Sequence, residues 1–374
     1  MKQTSRIIST CSADTFGVCS ALFELGGMVV MHDASGCNST YTTHDEPRWY
    51  DMDSMVYISG LSEMEAILGD DGKLISDIAA AAEELHPKFI AIAGTPIPAM
   101  TGFDYEAVAN LIEERTGIPA FGFPTTGMET YVSGASMAFA AIARRFVREG
   151  ERTTEKSVNI LGLTPLDFSV NGSNTAIARW LQDCGYRVLS RWAMGSSLEE
   201  ISRAAGAHVN LVVSASGLEA AKVLKKRFGT PWVVGVPYGK QWSERLRQAL
   251  ETAEQNPKED LPMGDILLLG EGVNALSLAS ALEQETGRGV RVLCFTECPG
   301  GILRDKDRMC SAEEEIEETI RGAKTVIADP MFAPIVPETV KFIPLPMECI
   351  SGRIYREEIP NLVTNFETWL KEVM

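Results

Sequence analysis

The sequence predicts an α/β protein built as three units in a row, each with an open parallel sheet. Three observations predict it. Short continuous apolar runs, such as Met28-Val29-Val30-Met31 and Ile266-Leu267-Leu268-Leu269, mark strands buried on both faces. These runs alternate with helical segments along the whole chain, the pattern of parallel pairing. Two charged stretches without apolar periodicity, Glu149 to Lys156 and Gln255 to Asp260, divide that alternation. The expected boundaries are an N-terminal unit over 1–150, a middle unit over 151–258 and a C-terminal unit over 259–374. A chain of 374 residues is long enough to give each unit its own core.

In the first unit a helix is expected over Ala13 to Gly26, then the strand Met28 to Met31, a strand end at Ser54 to Ser59 and an alanine-rich helix over Leu74 to Leu85. Lys88 to Ala93 reads as a buried strand. Gly94-Thr95-Pro96-Ile97-Pro98 reads as a loop that is neither helix nor central strand. The amphipathic helix Tyr105 to Thr116 is stopped by Gly117 and Pro119, and the strand Ile118 to Phe123 leads to a long helix from Tyr131 to Arg148. The middle unit is expected to hold strands at Val158 to Leu161, Tyr186 to Arg191, Val209 to Ser214 and Trp232 to Val234. Helices at Asn174 to Cys184, Ser197 to Ala204, Leu218 to Phe228 and Gln241 to Glu254 separate or follow them. Strands at Asp265 to Gly270, Val290 to Phe295, Thr325 to Ala328 and Phe342 to Leu345, with a last helix over Asn361 to Lys371, make the third unit.

Ligands of such sheets sit beyond the carboxyl ends of the strands. The loops there, among them His32 to Cys37, Thr164 to Asn171, Thr296 to Gly301 and Pro346 to Gly352, are rich in Gly, Pro, Ser and Cys. They place the expected site in a cavity between the units.

Charge narrows the partners. Thirty-four basic against fifty-one acidic side chains give a formal charge of −17, a surface that repels phosphate backbones and argues against nucleic acid. The N-terminus reads as neither signal peptide nor membrane span, so no membrane and a cytoplasmic location are expected. In that compartment the eight cysteines favour metal binding or plain burial over structural disulfides.

Cys11 precedes the first helix, and Cys37 follows the strand which that helix feeds, 26 residues on. Both are candidate metal ligands at one edge of an α/β layer. Small neighbours (Ser12, Ser35, Gly36) leave room for an inorganic group. Two thiolates cannot complete a four-cysteine iron–sulfur site, so a second chain or oxygen ligands must contribute. His32 is a candidate for hydrogen bonding or proton transfer at that group. Cys298 and Cys349, on strand-end loops of the third unit, are candidates for a second cofactor site, with Cys310 a possible companion. Cys19 and Cys294 read as core, and Cys184 as structural. Gly270-Glu271-Gly272 reads as packing geometry rather than a dinucleotide fingerprint. No phosphate-binding Gly-x4-Gly-Lys motif is present, so ATP hydrolysis belongs to another polypeptide.

The order Cys11, helix, His32-Asp33-Ala34-Ser35-Gly36-Cys37 resembles the start of nitrogenase component 1-type oxidoreductases, which include protochlorophyllide reductases. Leu68-Gly69-Asp70-Asp71-Gly72-Lys73-Leu74 is similar to another segment of that family. The resemblance covers essentially the whole chain. It implies three Rossmann-like domains around an interdomain cavity and an iron–sulfur cluster (4Fe–4S or larger) at a subunit interface. It also implies a homodimer or a heterodimer with a paralogous subunit, and electrons supplied by an ATP-dependent iron–sulfur reductase. Departures are equally plain: Thr95 stands where larger members place a third cluster cysteine, Ser214 where nitrogenase has a cofactor cysteine, and no histidine lies near Met347-Glu348-Cys349. An oxidoreductase component is therefore expected, with a non-catalytic scaffold for cofactor assembly or a metal-free small-molecule binder as alternatives.

Overall fold

The apolar runs form thirteen parallel strands in three sheets among the described residues of the computed structural model, which are 7, 11–34, 46–254, 261–310 and 312–373. Cys37 lies outside the described residues. The first sheet holds β1 (Met28–Met31), β2 (Met55–Ile58), β3 (Ile90–Ala93) and β4 (Ala120–Phe123) in the order β2-β1-β3-β4. The second holds β5 (Ser157–Leu161), β6 (Arg187–Arg191), β7 (Val209–Val212) and β8 (Trp232–Val234) in the order β6-β5-β7-β8. The third holds β9 (Ile266–Gly270), β10 (Val290–Cys294), β11 (Arg308–Met309), β12 (Thr325–Ala328) and β13 (Lys341–Pro344) in the order β11-β10-β9-β12-β13.

Burial follows sheet position. Every residue of the inner strands β1, β3, β5, β7, β9 and β12 is buried, and of the inner strand β10 all but Arg291, whereas the edge strands β2, β6, β11 and β13 carry exposed positions and β4 and β8 half-buried ones. That is why the inner strands are mostly apolar: helices cover both faces, and the buried Asn159 of β5 and Asn210 of β7 bond each other at 2.8 Å. In each sheet the chain reverses direction of winding beside the first strand, between β1 and β3, β5 and β7, and β9 and β12. A crevice opens there beyond the carboxyl ends. His32 and Thr95 border the first crevice, Thr164 and Ser214 the second, Glu271 and Asp329 the third.

Two helices of the first unit, Asp14–Leu22 and Tyr131–Arg145, cross at backbone contact. A Cβ on Gly17 would fall 2.0 Å from the Tyr131 carbonyl oxygen, and one on Gly134 would fall 1.8 Å from that of Asp14. Only glycine permits this approach. Asp14 then caps the turn before the second helix, accepting from the Thr126 and Gly127 N–H groups at 2.8 and 2.7 Å.

The structure departs from expectation in several places, two of them in the first unit. Pro96–Thr101 is a short helix, not a loop. Its prolines occupy the first turn, where an N–H would have no partner within the helix, so they start the helix rather than break it. Glu63–Leu68 is also helical, closed by a capping box in which Glu65 N–H donates to Ser62 Oγ (3.3 Å) and Ser62 N–H to Glu65 Oε2 (2.8 Å). No described helix is long and apolar enough to cross a membrane.

Candidate functional site

Residues 11–13 thread between all three units. Ser12 accepts from Tyr131 N–H (2.8 Å) and donates its own N–H to the Cys349 carbonyl (2.8 Å), while Cys349 N–H donates to Leu166 O (3.2 Å). Cys11 and Cys349 flank this seam, where Ser12 also gives its Oγ to the Cys349 carbonyl at 3.3 Å. The neighbouring Cys11, with burial second, holds the Cys349 thiol well above its usual range. Cys349 is 3% exposed, and Cys11 is half-buried.

Cys349 lines a cavity of about 70 Å³ with Tyr131, Asp167, Tyr238, Glu271 and Met347. Its acids occupy the crevices of the second and third sheets. Asp167 accepts from Tyr131 OH (2.5 Å), Thr164 Oγ1 (2.7 Å) and Ser214. Burial outweighs these donors and pushes its carboxyl up to about 6. Glu271 accepts from the N–H groups of Ala215 (2.9 Å), Val273 (3.1 Å) and Asn274 (2.9 Å). Burial first, then the Asp167 charge, push it up to about 8. Asp329 takes Met347 N–H and Ser351 Oγ, both at 2.7 Å, and burial raises it too. Glu271 is thus a buried acid whose ionisation is disfavoured at the edge of the cavity. Sequence reasoning missed these acids. The available signal was a single acid between apolar or glycine neighbours at a strand's carboxyl end.

His32 is buried at the end of β1. Its Nδ1 lies 2.9 Å from Ser59 Oγ, its ring packs on Phe103 at 4.4 Å, and burial pushes it down to about 4, so it is neutral at pH 7. Thr95 donates its hydroxyl to His32 O at 2.8 Å. Cys298 has a neighbour in its own unit. It lies against Cys294, whose thiol is lowered first by the hydrogen bond with Cys298, and both sulfurs crowd Gly272 at the start of the helix Gly272–Thr286. Cys310 points elsewhere, 3.2 Å from Glu315 Oε2. Cys19 is buried in the core, and Cys184 ends its helix. A wider groove of about 620 Å³ beside Trp232 and Trp242 has no thiol, and its Glu283 and Arg304 are already paired at 2.7 Å.

Among the described residues no group of three or more His, Cys, Asp or Glu side chains is arranged to hold a metal ion. A thiol-ligated group therefore fits here only in part. Cys11, half-buried at the seam, offers one thiol, and further ligands would come from elsewhere.

Residues 13–263 match the profile of the nitrogenase component 1 type oxidoreductases, more than half of the chain. The chain belongs to this family. The nitrogenase iron-molybdenum cofactor biosynthesis protein NifE of Klebsiella pneumoniae is 26% identical over 261 residues, 66% of this chain and 55% of that protein. NifE of Clostridium pasteurianum is 29% identical over 188 residues, 49% of this chain and 40% of its own. A polypeptide of the light-independent protochlorophyllide reductase of Chloroflexus aggregans is 25% identical over 254 residues, 66% of this chain and 45% of that polypeptide. The chain spans about half the length of the curated relatives it matches. A solved structure described as nitrogenase Cp1 at pH 6.5 superposes with a TM-score of 0.73 at 16% identity, over 100% of this chain and 94% of that one, and shares the fold.

Proposed function

We propose that this family member is an oxidoreductase component that binds an iron–sulfur group through Cys11, with Cys37, at a contact with a second subunit. It receives electrons from an ATP-dependent iron–sulfur reductase and passes them to a substrate or cofactor held between the units. The observation that carries the reading is the place of Cys11 at the seam of the units, beside Ser12, which bonds both Tyr131 and Cys349, in a chain of this family. When bound, the group supplies one-electron storage, its potential set by burial and by hydrogen bonds to sulfur. The chain's own residues shape the rest. Ser12 fixes the seam through its backbone, and Glu271 and Asp167 place two buried acids, both raised by burial, beside the cavity. The subunit contact is with a second copy or a paralogous subunit, in the cytoplasm.

A second reading, a scaffold on which a metal cofactor is assembled, is favoured by the likeness to the NifE biosynthesis proteins and by Ser214 at the end of β7. Protein purified anaerobically should show visible absorption that bleaches on reduction by an ATP-dependent reductase. Colourless, iron-free protein would defeat both readings. Bleaching without turnover of any added substrate would favour the scaffold.

A further inference from the structure

We infer that the groove between the middle and third units is a second ligand site, built for a planar aromatic anion that carries an N–H or O–H donor. It shares no lining residue with the cavity at Cys349 and does not depend on the iron–sulfur reading.

The groove is assembled from both units. The edge strand β8 supplies Trp232, the helix Lys240–Thr252 supplies Trp242, and the helix Gly272–Thr286 of the third unit adds Leu276 and Gln284. Its volume of about 620 Å³ is that of an ordinary small-molecule site. The loop Thr296 to Gly301, one of those the sequence places at a ligand, ends at the groove in Pro299, Gly300 and Gly301. A Cβ on Gly300 would meet nothing within 4 Å, so the lip is open and its neighbours do not impose that glycine.

Three observations select the ligand. Two tryptophans line one groove, and Trp242 spends its Nε1–H on Val236 O at 2.9 Å, so the ring it leaves to the groove is carbon, suited to an aromatic ligand. Charge sets the sign. Of the lining residues Lys222, Lys225, Arg245 and Arg304 are cationic and Glu283 alone is acidic, in a chain of formal charge −17. Arg304 and Glu283 offset each other at 2.7 Å, and Lys222 holds Glu219 at 2.6 Å. The Lys225 ammonium meets a neutral carbonyl, Gly229 O, at 3.4 Å, and Arg245 adds a further positive charge. Positive charge gathered on an apolar groove of an acidic chain is complementary to an anion. Gln284 supplies the third feature: its Oε1 is buried with no hydrogen-bond partner among the described residues. Such an acceptor is costly to leave unpaired, and a donor on the ligand pairs it.

The test uses the full chain and two probes of one skeleton. Anilinonaphthalenesulfonate has the fused rings, the N–H and the anion, and phenylnaphthylamine lacks only the anion. Each is titrated by its own fluorescence against wild type, Lys222→Glu/Lys225→Glu, Gln284→Leu and Trp232→Leu, with circular dichroism as the check of fold. The two lysines are exposed and surface ion pairs contribute little, so the charge reversal keeps the fold even where Trp232→Leu does not. The inference expects the sulfonate to bind wild type one to one. Charge reversal should weaken it at least about tenfold, the worth of a charge-assisted hydrogen bond, and leave the neutral probe unchanged. Gln284→Leu should weaken both probes by about threefold to tenfold. Sulfonate binding indifferent to the charge reversal would overturn the anionic ligand. Binding of both probes indifferent to Gln284→Leu and Trp232→Leu would overturn the site, placing the probes on another apolar surface. Neither probe bound, with a chain that runs at twice its mass until the lysines are reversed, would overturn the ligand and give the groove to a second copy.

Discussion

The backbone N–H of Ser12 donates to the carbonyl oxygen of Cys349 at 2.8 Å, joining residues 337 apart in sequence. Around this bond the start of the first unit, the helix at Tyr131, the turn at Leu166 and the third unit share one seam. Each of those neighbours can be tested separately.

The glycine crossing is the first. Gly17→Ala pushes a methyl into the Tyr131 carbonyl, and neither backbone can yield without moving its helix. The expected loss is roughly 1–3 kcal/mol, as for other overpacked sites, read as a lower denaturant midpoint with unchanged slope. Stability equal to wild type would refute the tight crossing.

Tyr131→Phe removes one of the donors to Asp167 while leaving the ring buried. An under-satisfied buried carboxylate costs on the order of 1–3 kcal/mol. Losing a donor to the charged form should also raise Asp167 further above its wild-type value. Chemical denaturation across pH checks both effects, and an unchanged midpoint at every pH would contradict the contact.

Glu271 gives a signed pH dependence. It holds its proton to about 8 when folded, against an ordinary 4.5 when unfolded. Within that window the folded chain binds more protons than the unfolded one, so this group makes stability fall as pH rises. Glu271→Gln cannot ionise, so its stability relative to wild type should improve between pH 5 and pH 8. A difference that stays constant over that range would show that Glu271 ionises normally.

Arg48 tests a separate anchor. Its guanidinium is buried, pairs with Glu46 at 2.7 Å and Glu24 at 3.0 Å, lies over Phe23 and donates to Ala193 O in the middle unit at 2.8 Å. Arg48→Met leaves Glu46 charged and unpaired in the interior, so a loss of about 3–5 kcal/mol is expected. A thermal melt within a degree or two of wild type would contradict it.

Much of the fold is legible in the sequence because its causes are local. A strand covered on both faces is apolar at nearly every position, and Ile266 to Leu269 or Ile90 to Ala93 announce this directly. Tyr105–Thr116 carries its own stop signal in Gly117. The helix at Pro96 is hidden because proline weakens a helix everywhere except its first turn. The site is less legible, since its partnerships are tertiary. Cys11 stands out by its position before a helix, but nothing near it in sequence points to Cys349. Cys294 is buried as its apolar run implies, yet its sulfur meets Cys298. Glu271, flanked by glycines, looks like a turn residue until Ala215 of the neighbouring unit is seen to donate to it.

The iron and sulfide content of Cys11→Ala, purified anaerobically beside wild type, bears most directly on the proposed function. The account predicts stoichiometric iron and acid-labile sulfide in wild type and their loss in the variant, with the fold intact. Equal iron in the two proteins would contradict it.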